Sequence, residues 1–117
     1  MNDTSELIKE LESALQSAKR EYITSRDTTL SDFLRGAWHG AYIGHQQAFT
    51  VIQVMGANSM DFETYNALIS RISQMQADAK NESADVRKCR DEYLQGVWHG
   101  IYVGLERTSN MLQEWGE

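Results

Sequence analysis

The sequence predicts an all-α protein made of two similar helical hairpins, forming a four-helix, pseudo-twofold bundle, on three observations. The 117-residue chain contains no proline and is rich in Ala, Leu, Gln, Glu, Met and Arg, side chains that keep most of their rotamer freedom in a helix. Apolar residues recur at spacings of three and four over long windows, the period of one helix face. Third, the segment Leu34-Arg-Gly-Ala-Trp-His-Gly-Ala-Tyr-Ile-Gly44 returns as Leu94-Gln-Gly-Val-Trp-His-Gly-Ile-Tyr-Val-Gly104, with seven of eleven positions identical. The reading is one domain of two repeats, about residues 4–56 and 59–115, at a length that fits a single core.

Taken in order, Asp3 with Glu6 has the spacing of a capping box, and Leu7, Ile8, Leu11, Ala14, Leu15, Ala18 and Tyr22 then mark the buried stripe of a first helix. The pattern stops near Thr24 to Thr28. Thr29 with Asp32 offers the next cap, and a second helix is expected from about Leu30 to Met55, closed by Gly56 as a C-cap, with Asn58 or Ser59 starting the next element. A third helix follows on the stripe Phe62, Tyr65, Leu68, Ile69, Ile72, Met75 and Ala79. Its aliphatic part aligns with the first helix at an offset of 61, Leu7 on Leu68 and Leu11 on Ile72. Lys80 to Ala84 reads as a break, with Asn81 or Ser83 as caps, before a fourth helix from about Asp85 to Trp115.

Residues 36–60 carry no Asp, Glu, Lys or Arg, although a quarter of the chain is charged. A helix uncharged all round is expected to be covered on most sides, so the second helix is placed centrally or in an oligomer interface. The matching segment after the second motif is charged again, which predicts greater exposure towards the end of the fourth helix.

Gly36, Gly40 and Gly44 step by four, as do Gly96, Gly100 and Gly104, so each set drifts only about 40° per step and forms a stripe. Glycine inside a helix costs roughly 1 kcal/mol against alanine, so the six need an offset of similar size. Close approach of another helix is the reading chosen; a ligand against the helix wall is the alternative. The simplest arrangement juxtaposes the second and fourth helices about an axis near Gly40 and Gly100. Beside the stripes stand Trp38, His39 and Tyr42, repeated as Trp98, His99 and Tyr102. Core or interface packing is their first reading. The sharper reading is an aromatic platform for a flat, nucleotide-like ligand, with Arg35 or the histidines on an anionic group.

Other chemistry finds less support. His39 and His45 differ by six positions and point about 240° apart, and a pair formed by His39 and His99 would lack further protein ligands, so neither metal nor cofactor is expected. No carboxylate pair stands in the uncharged stretch to act as acid and base, and Cys89, between Lys88 and Arg90, reads as an incidental helix thiol; no enzyme is expected. Acids and bases are interspersed around a net charge of −6, which opposes a nucleic-acid surface. His and Gln side chains in the uncharged stretch oppose a membrane span. A lone cysteine and the lack of a signal segment suit the cytoplasm, and the small size suits a bacterial or phage protein.

The functional expectation is a non-enzymatic binding protein, an adaptor, regulator or inhibitor with a protein partner. It is expected to form a homo-oligomer, most simply a dimer, with hairpin exchange between chains as the second architecture. The alternative function is small-molecule binding or sequestration at the duplicated Trp-His-Gly-x-Tyr segments.

Overall fold

The computed structural model describes residues 4–28, 31–56 and 60–116. They form four helices of 25 residues each, α1 (Thr4–Thr28), α2 (Asp32–Gly56), α3 (Phe62–Val86) and α4 (Glu92–Gly116), packed as a bundle with no strand among the described residues. A helix of that length spans about 37 Å. The body measures 44 × 28 × 21 Å, so the helices lie along its long axis.

Local chemistry fixes three of the helix starts. Ser31 Oγ accepts from the Leu34 amide at 3.3 Å, Asp61 Oδ1 from Thr64 at 2.8 Å and Asp91 Oδ1 from Leu94 at 3.0 Å, each satisfying a donor that the first helical turn leaves free. These caps correct the boundaries read from sequence. Thr29, Asn58, Ser59 and Asp3, the expected caps, lie outside the described residues. The break expected at Lys80 to Ala84 does not occur: Ala79, Ser83 and Val86 keep a buried or half-buried face going, and α3 runs through to Val86. The fourth helix therefore starts at Glu92 and not near Asp85. Gly56 is the last helical residue of α2 and no described glycine has a positive φ, so it is no left-handed cap.

The packing order is unusual for an up-and-down chain. α1 lies antiparallel on α2, with Ala14 beside His45 and Tyr22 beside His39 and Tyr42; α3 lies antiparallel on α4, with Tyr65 beside Trp115. The most extensive contact is between α2 and α4, which run parallel, whereas α1 and α3 do not pack on one another. The diagonal helices are thus the central pair.

The core is built where all four stripes reach that pair. Leu7, Leu11, Ile52, Leu68, Ile72, Leu105 and Leu112 are buried to 2% exposure or less, each contributing roughly 2 kcal/mol by removal from water. Positions 61 apart on α1 and α3 share their environment: Leu7 and Leu68, Leu11 and Ile72, and Ala18 and Ala79 are all buried.

One burial expectation is reversed: Thr108, Ser109, Leu112 and Trp115 at the end of α4 are buried. The second helix is central, as expected, although Val54 and Met55 at its end are exposed in the single chain. The charges of the α4 segment, Glu106, Arg107 and Glu114, sit on its outer face, and the exposed face of α2 carries neutral Gln46, Gln47, Thr50 and Gln53. Absence of charge therefore did not mean coverage of every face within one chain. Phe62, assigned to the buried stripe of α3, is 72% exposed because it opens the helix one turn before the stripe meets its neighbours. No described helix is long and apolar enough to cross a membrane.

Candidate functional site

The repeated glycines lie where α2 and α4 meet. All six are buried. A Cβ built on Gly40 would stand 2.8 Å from the Ile101 amide nitrogen and closer still to the Val97 carbonyl oxygen; one on Gly100 would stand 2.6 Å from the Ala41 nitrogen and 2.8 Å from Gly40 Cα. The relation continues at Gly44, 2.5 Å from the Ile101 oxygen, and at Gly104, 2.5 Å from the Ala41 oxygen. Partner numbers rise together on both helices, which is what makes the pair parallel and in register.

That register gives the two histidines of the motif separate surroundings. His39 lies between Tyr22 of α1, stacked on it at 4.4 Å with an interplanar angle of 9°, and Tyr93 of α4, whose hydroxyl is 2.6 Å from Nδ1. The Arg26 guanidinium sits over the far ring, 5.9 Å from the centre of Tyr22. Burial, then Arg26, lowers the His39 pKa, so the ring is neutral at pH 7. His99 instead meets Phe33, 5.7 Å away, with no hydroxyl to bond. The two rings are on opposite flanks of the α2–α4 pair and do not meet.

The other residues singled out by sequence disperse. Arg35 pairs with Asp32 one turn before it. Trp38 and His99 share a groove of about 260 Å³ with Leu34, Ala41 and Arg107. Tyr42 lies beside Tyr22, at 6.0 Å. Trp98 and Tyr102 are half-buried against the core, and the bond to Glu106 pushes the Tyr102 pKa up. The seven do not converge on one pocket. Cys89 lies in the turn before α4 and not in a helix; it is exposed, and its carbonyl accepts from Gln95 Nε2 at 2.6 Å. Among the described residues, no three His, Cys, Asp or Glu side chains gather in a way that could hold a metal ion.

Tyr93→Phe tests the His39 contact. It removes one hydrogen bond and keeps the ring, reproducing the Phe33–His99 pairing found on the other flank. The expected loss is about 1 kcal/mol in urea unfolding, with the His39 ring resonances displaced and those of His99 unmoved.

Sequence reading weighed His45 as a metal ligand and assigned it no site; the residue is 5% exposed and buried in the seam just past Gly44. The Thr108 hydroxyl donates to the Gly104 carbonyl at 3.0 Å, so at its 3.3 Å contact with His45 it accepts from Nδ1–H. Nε2 then carries the lone pair. It has no protein partner, yet no described side-chain nitrogen or oxygen is both buried and unbonded, so Nε2 reaches solvent. The opening is a groove of about 380 Å³ between α1, α2 and α4, which His45 lines with Glu21, Arg107 and Asn110. Burial, then Arg107, lowers the His45 pKa and keeps the ring neutral at pH 7. The only sequence signal was that position 105, sixty residues on in the second Trp-His-Gly segment, is Leu: the two helices differ in polarity at this point of their seam.

Compared with known proteins, the chain matches no family model, no curated protein and no solved structure.

Proposed function

We propose that the chain is a non-enzymatic cytosolic binding protein, an adaptor, regulator or inhibitor that works through its helical surface. It is built from a duplicated hairpin whose glycine stripes close α2 on α4. Two observations support the duplication and the seam: matched burial at offsets of 60 and 61, and glycines that face backbone in both helices. In this reading the repeated motif holds the molecule together and is not a ligand platform.

The observation that carries the functional reading is where large apolar side chains remain outside. Val54 is 78% and Phe62 is 72% exposed, with Met55 between them in sequence also exposed, at the junction of α2 and α3. Solvated singly such residues are ordinary, but a cluster at one end of a small bundle suits a protein contact. A dimer through this end is the simplest homo-oligomer, and the same surface suits a different partner.

The test replaces Val54 and Phe62 by Glu together, which keeps the core because both side chains are outside it. A photo-crosslinking residue at Met55 in the otherwise native chain is expected to trap a defined species in host cells, seen as one added mass in native spectra. The double variant is expected to lose it. An unchanged crosslinked species in the variant, or turnover of a small molecule by the purified chain, contradicts the proposal.

A further inference from the structure

We infer that the groove between α1, α2 and α4 binds a small zwitterionic, amino-acid-like molecule, with Arg107 on its carboxylate and Glu21 and His45 on its ammonium group. The inference is separate from the surface contact proposed above, since the groove shares no residue with the exposed end.

Glu21 of α1 and Arg107 of α4 face the same groove from different walls without forming an ion pair. A molecule with both charges bridges what the protein leaves apart. A guanidinium takes a carboxylate in two parallel bonds, and a carboxylate on the other wall takes an ammonium. His45 adds an acceptor, since Nδ1–H is committed to Thr108 and the Nε2 lone pair opens to the groove. Ala14, Ala18 and Met111 line the rest and leave room for an apolar side chain. About 380 Å³ is ample for a molecule of that size.

The other flank of the bundle supplies an internal control. There the corresponding positions hold Met75 for Ala14, Leu105 for His45 and Gln47 for Arg107, while Glu82 keeps the acid of Glu21. Leu105 is fully buried and Met75 packs on the core. The fold is thus served by an apolar residue at this seam position. Burying an imidazole there is costlier than burying Leu, and the small Ala14 beside it leaves space that Met75 takes up in the other copy. A cation opposite the acid, a buried imidazole and open space occur together in one copy only, as a site for a zwitterion requires and packing does not.

The test is an NMR titration of the full chain with each free proteinogenic L-amino acid, reading the His45 ring, with acetate and ethylamine as half-ligands. At least one amino acid is expected to give a saturable shift. Arg107→Gln and Glu21→Gln, both at exposed positions that leave the core intact, are each expected to weaken it about tenfold or more. His45→Leu is expected to abolish binding with the helical spectrum retained. No saturable shift up to about 10 mM, acetate or ethylamine binding as well as the best amino acid, or variants that bind unchanged would each overturn the inference.

Discussion

Gly40→Leu is expected to remove cooperative folding. The nearest atoms to a Cβ at this position are backbone, the Val97 carbonyl and the Ile101 amide at 2.8 Å, and backbone cannot rotate aside as a side chain does. Overpacking a core usually costs about 1–3 kcal/mol because side chains shift. Here the helices themselves must part, and the most extensive contact of the bundle opens along its length. A loss above about 3 kcal/mol is a large share of the roughly 5–15 kcal/mol that holds a domain of this size. Gly100→Leu is expected to do the same from the other side, since its Cβ would meet the Ala41 nitrogen at 2.6 Å. Gly56→Ala is the contrast. The obstruction there is the Met60 Cε, the free end of a flexible side chain, and alanine gains up to about 1 kcal/mol of helix propensity. Urea unfolding of these variants checks the prediction, with Gly56→Ala near or above the wild type.

His45→Leu is expected to move stability the other way, by about 1–2 kcal/mol at pH 7, as an imidazole gives way to the residue type found at position 105. Nothing is orphaned, because the Thr108 hydroxyl still donates to Gly104. The gain is expected to grow on acidification. Burial, then Arg107, holds the folded pKa of His45 below its ordinary value of 6.5. Below that value the unfolded chain therefore takes up a proton before the folded one, so stability is complete above it and is lost as the pH falls towards the folded pKa. Glu21 is the other charged group facing the ring across the groove. His39, lowered by burial and then by Arg26, titrates in the same sense and leaves the variant a residual acid limb. The carboxyl of Asp61, held below its usual range by Thr64, stays ionised through this window and does not contribute. Urea midpoints at pH 7 and pH 5 decide: a wild type and variant that lose stability equally would contradict the account.

The all-helical class and the four-helix count were legible because period and composition agree along the whole chain, and the stripes Leu7–Leu11 and Leu68–Ile72 are the buried ones. Helix ends were less so. Asp91 lies among Arg87, Lys88, Arg90 and Glu92, where its capping role is hidden in a run that reads as a charged helix face. The central place of α2 was legible but the coverage of each face was not, because Gln and Thr serve a solvated face as well as charges do, which is how α2 exposes Gln46 and Gln53 in the single chain. The candidate site was read from what repeats, Trp38 to Tyr42 and Trp98 to Tyr102. The geometry instead draws attention to what does not repeat: His45 against Leu105, and Ala14 against Met75. Such differences carry no periodic signal, and their meaning depends on a groove formed by three helices distant in sequence.

The parallel seam of α2 on α4 is tested most directly by proton NOEs between the glycines. Gly40 and Gly100 face one another so closely that a Cβ on Gly100 would lie 2.8 Å from Gly40 Cα. Strong Hα to Hα cross-peaks between Gly40 and Gly100, and between Gly44 and Gly104, are expected within a single chain. Their absence, a pattern joining Gly36 to Gly104 as in an antiparallel pair, or cross-peaks seen only between differently labelled chains would contradict the account.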